Sequence, residues 1–108
     1  MTREEALAGH RKLWNEIADM IERGEKLPRI DDYKINALKA IGEKRILYSH
    51  CYLCDFVLAC ADCLVRWDGV TCGDSEYGDF YVLLKDKDYT QAAIIARTIA
   101  NLPERVVE

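Results

Sequence analysis

Proline and histidine are scarce in this chain, with two of each among 108 residues, and cysteine is absent outside one short stretch. With so few histidines and no nucleophile motif, the sequence points away from an enzyme, and no catalytic residue is assigned. It lacks the His-x-Glu of zinc deaminases, the His-Glu-x-x-His of metalloproteases and any phosphate-binding glycine loop. No stretch approaches 18 consecutive apolar residues, which excludes a transmembrane helix. The opening Met-Thr-Arg-Glu-Glu-Ala-Leu lacks the apolar run of a signal peptide, so the chain is expected in the cytosol with its thiols reduced. Repeats, low-complexity tracts and linkers are also missing. Residues 1–108 therefore read as one domain, 50% hydrophobic and able to build a core.

Basic charge is scarce in one half only. The net charge is −4, and residues 1–47 are nearly balanced, with ten basic and nine acidic side chains. Residues 48–108 hold five basic and ten acidic ones. Arg66 alone opposes Asp55, Asp62, Asp68, Asp74, Glu76 and Asp79. Binding to nucleic acid rests on clustered Lys and Arg, so this sign is wrong for it. Asp68, Asp74, Glu76 and Asp79 are the candidate contacts to a protein partner with a basic surface. A solvated acidic face is the plainer alternative.

What is abundant is cysteine in the middle: Cys51, Cys54, Cys60, Cys63 and Cys72 lie within twenty-two residues. Two Cys-x-x-Cys pairs at this distance suit one tetrahedral, all-thiolate Zn²⁺ per chain, with bonds of roughly 2.3 Å. A catalytic zinc keeps an open position and usually takes His or carboxylate ligands, so this ion is expected to be structural. Four sulfurs are needed and five are present. The simplest set is Cys51, Cys54, Cys60 and Cys63; the competing set replaces Cys60 with Cys72, since closing that loop costs little. Cysteines alone are also compatible with a [4Fe–4S] cluster. His50 is either a ligand or, in the plainer reading, a surface residue or a hydrogen-bond partner of a thiolate. His10 lies on a helical stripe and reads as a satisfied, partly buried side chain.

Around this segment the pattern is helical. Thr2 and Glu5 form a capping box, and Leu7, Leu13, Trp14, Ile17, Met20 and Ile21 make an apolar stripe that ends at Gly24, giving a helix over about 3–23. After Leu27-Pro28, Asp31 or Asp32 can cap a second helix, with Ile35, Leu38 and Ile41 on one face and Gly42 as its stop. Ile46-Leu47-Tyr48 leads into the metal segment as a strand edge or an extended stretch. One continuous helix from Tyr52 to Val65 would point the two cysteine pairs nearly opposite ways, so the backbone must turn between them. Trp67–Gly69 and Cys72–Ser75 read as loops. Helices near Tyr77–Leu84 and Tyr89–Leu102 follow, the second packing through Ala93, Ile94, Ala96, Ile99 and Ala100, and Pro103 ends it. The expected fold is mostly α, with helices in 1–47, a cysteine segment in 48–76 and C-terminal helices in 77–108, closed around one zinc.

The chain also resembles a family of small, cysteine-rich phage and prophage proteins of low-GC bacteria. The likeness runs through His10-Arg-Lys-Leu-Trp14-Asn-Glu-Ile-Ala, Cys51-Tyr-Leu-Cys54-Asp-Phe, Cys60-Ala-Asp-Cys63-Leu-Val-Arg-Trp67, Cys72, Ser75-Glu-Tyr77-Gly and Ala96-Arg97-Thr-Ile-Ala-Asn-Leu-Pro103. Leu64 departs from it, at a place where proline is expected. The sequence looks similar to zinc-binding anti-CRISPR proteins, phage inhibitors of the type II RNA-guided DNA nuclease. That resemblance implies an inhibitor that works in the cytoplasm of an infected bacterial host by occupying a surface of the nuclease. A monomer is expected, and the acidic half of the chain suits the positively charged channel that holds the guide–target heteroduplex. The alternative is a zinc-containing nucleic-acid-binding or regulatory phage protein.

Overall fold

A computed structural model describes residues 1–47, 50–56, 63–67, 69 and 72–105. Among them are five helices: α1 (Arg3–Glu22), α2 (Ile30–Ala40), α3 (Tyr52–Phe56), α4 (Glu76–Lys85) and α5 (Tyr89–Ala100). The described residues form no strand, only a single antiparallel bridge between Val65 and Glu104. None of the described helices is long and apolar enough to cross a membrane.

The start of α1 follows from the sequence. Thr2 Oγ1 accepts the amide of Glu5 at 3.1 Å, and the Thr2 amide donates to Glu5 Oε1 at 3.1 Å, so two otherwise unpaired helix-end donors are satisfied. Gly24 at φ 94° and Gly42 at φ 81° turn the chain just beyond α1 and α2, in a backbone region where other L-residues are strained. The cap of α2 is different from the expectation. Its N-cap is Arg29, without a side-chain cap bond, and Asp31 and Asp32 lie inside the first turn, where their charge complements the helix dipole.

All six residues of the α1 stripe are buried, and α1 packs most extensively on α5, with α2 and α3 also against it. Trp14 is at the centre, edge-on to Phe80 at 5.2 Å and to Tyr77 at 5.8 Å, and Phe80 in turn meets Tyr33 at 6.3 Å. One residue in each of two faces needs correction. In α2 the buried face is Tyr33, Lys34, Ala37 and Leu38, while Ile35 is only half-buried. In α5 the small side chains Ala92, Ala93, Ala96 and Ala100 let α1 approach, and Ile94 is turned outward, 52% exposed. The rest of each stripe stands: Leu38 is buried and Ile41 packs on the core in α2, and Ala93, Ala96, Ile99 and Ala100 are buried in α5.

Before the cysteines, Leu47 is buried and Ile46 fully exposed, with no bridge recorded at either; Tyr48 lies outside the described residues. After them, the Arg66 amide donates to Pro103 O at 2.9 Å and the Arg105 amide to Leu64 O at 2.7 Å. These bonds fasten the segment behind Cys63 to the segment behind α5. Leu64 and Val65 are both buried in the core, so position 64 contributes a full leucine side chain to it.

Candidate metal centre

Three segments deliver cysteine side chains to the same region. Cys51 immediately precedes α3 and Cys54 sits within it, three residues on, so one helical turn aligns them. Their thiols are hydrogen-bonded to each other. Cys63 opens the segment bridged to Glu104, and Cys72 begins a 3₁₀ turn, Cys72–Asp74, that leads into α4. That turn is held by the Ser75 amide donating to Cys72 O at 3.2 Å and the Gly69 amide donating to Ser75 Oγ at 2.5 Å.

The electrostatics set the two sulfurs of the first pair apart. The hydrogen bond from Cys54 lowers the pKa of the Cys51 thiol, helped by the backbone amides of Cys54 and Leu53 and by the Lys34 ammonium, against the opposing effect of burial. Cys54 is raised, first by its bond to Cys51 and by burial, then by the nearby sulfurs of Cys51, Cys72 and Cys63. Cys63 and Cys72 therefore lie close enough to bear on Cys54. No disulfide joins any of these four.

Two side chains from elsewhere in the fold support the cluster. The Trp67 indole Nε1–H donates to Cys63 Sγ at 3.3 Å. Lys34, only 2% exposed, comes from the buried face of α2 and donates from Nζ to the Tyr77 hydroxyl at 3.1 Å. A buried lysine is rare unless paired, and nothing in the local sequence marks this one. Trp67 was legible as part of a motif but not as a sulfur partner.

Among the described residues, no three His, Cys, Asp or Glu side chains are gathered tightly enough to hold an ion. The donor chemistry nevertheless fits a soft divalent metal: four half-buried thiols near one another, with an N–H donor and an ammonium beside them. Cys60, the fifth cysteine, lies outside the described residues, as does the turn expected between the two pairs.

Both histidines have other partners. His50, at φ 52°, places Nδ1 at 3.9 Å from Asp31 Oδ1 on the surface. His10 is 1% exposed, and Nε2 is 2.9 Å from Ile99 O. A carbonyl only accepts, so Nε2 carries the proton, and Nδ1 is a buried acceptor without a partner. Burial lowers its pKa to about 4 against the raising effect of the Ile99 carbonyl, and its ring meets Trp67 at 6.4 Å, near perpendicular.

Of the acidic candidates, Asp74 ends the 3₁₀ turn, and Glu76 and Asp79 occupy the first turn of α4. Asp74 and Asp79 are exposed and Glu76 half-buried; Asp68 lies outside the described residues. The helix dipole accounts for the local preference for negative charge there. Beside them runs an open groove of about 500 Å³ lined by Arg66, Trp67, Glu76 and Thr98. No family model matches this chain, and neither a curated protein nor a solved structure is found to be similar to it.

Proposed function

We propose that this is a phage-encoded inhibitor of the anti-CRISPR kind, which binds a host type II RNA-guided DNA nuclease and blocks it by occupying a surface. In this reading it acts as a monomer in the cytoplasm of the infected bacterium, without catalysis and without binding nucleic acid itself. The observation that carries the reading is the grouping of Asp74, Glu76 and Asp79 at one end of α4, in the acidic half of the chain. A negative surface is repelled by nucleic acid and drawn to the positive channel where the heteroduplex lies. The resemblance in the cysteine and tryptophan motifs supplies the identity of the partner. Cysteine thiolates hold one structural zinc, whose role is to supply folding energy to the middle segment.

The test measures binding of the purified protein to the guide-loaded nuclease and inhibition of target cleavage. Reversal of charge at Asp68, Asp74, Glu76 and Asp79 is expected to slow association and weaken inhibition while leaving metal content unchanged; added salt slows the unmodified protein in the same direction. Undiminished inhibition by the reversed variant would remove the acidic surface from the mechanism. Tight binding of duplex DNA by the unmodified protein at moderate salt would replace the inhibitor with a zinc-containing nucleic-acid-binding protein.

A further inference from the structure

We propose that two adjoining grooves beside α5 form one docking site for a linear segment of a protein partner, carrying a single basic side chain followed by apolar ones. This deepens the inhibitor reading above, on which it rests for the class of partner. The first groove, of about 500 Å³, is lined by Arg66, Trp67, Glu76 and Thr98. A second, of about 550 Å³, is lined by Ile94, Arg97, Thr98, Asn101, Leu102 and Pro103. Thr98 belongs to both. The Arg66 amide donates to Pro103 O at 2.9 Å, so a wall of the one is also bonded to a wall of the other. Each volume falls within the range of sites that enclose a ligand.

Charge and apolar surface lie at different ends of this site. Glu76 lines the first groove, with Asp74 before it and Asp79 in the same turn of α4. Arg66 opposes these carboxylates, so the groove suits one cation rather than a run of them. The indole N–H of Trp67 is already given to Cys63 Sγ at 3.3 Å, which leaves the π surface of the ring for an occupant. A carboxylate beside an aromatic face is the pairing that holds an arginine or lysine side chain. In the second groove the Arg97 guanidinium is taken up by Asn15, Asp19 and Glu22. The Thr98 hydroxyl donates to Ile94 O at 3.1 Å, so the junction offers no spare donor. What the second groove presents is apolar. Ile94 is 52% exposed whereas Ile95 and Ile99 of the same helix are half-buried and buried, and Leu102 and Pro103 continue its wall. Covering such a surface favours apolar side chains in the partner.

The test uses the full chain and two probes: the guide-loaded type II nuclease, and a capped synthetic peptide with one arginine followed by leucines spaced by serines. Surface plasmon resonance reads nuclease affinity, and NMR shifts read peptide binding. Thr98→Gln fills the junction with a longer neutral side chain, and Ile94→Ser removes the apolar anchor. Both positions are exposed on α5, so the variants should keep the fold, which a thermal melt verifies. Tyr81→Ser is the control, since it removes an exposed apolar side chain of α4 that lines neither groove. The peptide is expected to shift the signals of Trp67, Ile94 and Thr98. Thr98→Gln and Ile94→Ser should each weaken nuclease binding about 5- to 30-fold, while Tyr81→Ser leaves it unchanged. Nuclease binding that ignores Thr98→Gln and Ile94→Ser, or falls equally with Tyr81→Ser, overturns the groove and leaves the inhibitor reading standing. Peptide shifts confined to the groove, without nuclease binding, overturn the inhibitor reading and leave the groove as a site for another protein. A peptide that shifts nothing, or one with glutamate for arginine that binds as well, overturns the chemistry assigned to the occupant.

Discussion

Gly9 of α1 faces the ring of Tyr52 so closely that a Cβ built on it would stand 2.5 Å from Tyr52 Cδ1. This contact explains a glycine in the interior of a long helix, where it costs about 1 kcal/mol relative to alanine. It also fixes α3, and with it the first cysteine pair, against α1. The Tyr52 hydroxyl is anchored at its far end, donating to Glu43 Oε2 at 2.9 Å, so the ring has little freedom to retreat.

Gly9→Ala is therefore expected to lower thermal stability although alanine is the better helix former. Overpacking of this kind costs about 1–3 kcal/mol, more than the propensity gain. Combining it with Tyr52→Leu should cost less than the two single effects added, because the clash disappears with the ring. Calorimetric melting of the four proteins checks this; strict additivity would mean that the ring and the helix do not press on each other.

Phe80 joins three helices through its ring contacts with Trp14 and Tyr33 and is fully buried. Phe80→Ala should destabilise the protein by about 3–5 kcal/mol. Urea unfolding provides the measurement, with an unchanged slope expected if the native state keeps its extent.

His10 gives the stability a pH dependence of known sign. Its folded pKa, about 4, lies below the ordinary histidine value of 6.5, so between these values the unfolded chain binds the extra proton. Stability is fully present above about pH 6.5 and declines as the pH falls towards 4, by roughly 3 kcal/mol over the window. His10→Gln keeps an N–H for the Ile99 carbonyl and cannot titrate. Its stability should fall less steeply than the parent's between pH 6.5 and 5, where most carboxylates stay ionised.

Leu64→Pro restores the residue expected from the family resemblance, yet it should destabilise this protein. The leucine side chain is buried and its carbonyl accepts the Arg105 amide, so the exchange removes apolar contacts and strains the bridge to Glu104. The loss expected is on the order of 2 kcal/mol, comparable to truncating a buried leucine. Circular dichroism melts would show it, and a variant as stable as the parent would mean that the side chain at position 64 contributes little.

The features read well from sequence are those with local causes. The capping box at Thr2, the α1 stripe and the stops at Gly24 and Gly42 each depend on residues within about one turn of each other. The features that were missed depend on distant partners. Lys34 is buried because Tyr77 and the cysteine region lie opposite it, and Gly9 is small because Tyr52 is there. The pairing of Val65 with Glu104 leaves no mark at either end of a 39-residue separation. Spacing alone groups the cysteines by their two Cys-x-x-Cys pairs, and it carries no sign of the Trp67 indole that donates to Cys63 Sγ.

The extensive contact between α1 and α5 also has a consequence in time. The last residue of α1 leaves the ribosome 67 residues ahead of the first residue of α5, an interval of roughly 3 to 13 seconds at ordinary synthesis rates. Through that interval the apolar face of α1 has only α2, then α3, and late in it the aromatic rings of α4 to cover it. Contacts as distant as Arg3 with Glu104 close only after residue 104 has emerged. Maturation thus waits for α5 to emerge, and nascent chains halted before α5 are the form most exposed to aggregation and proteolysis.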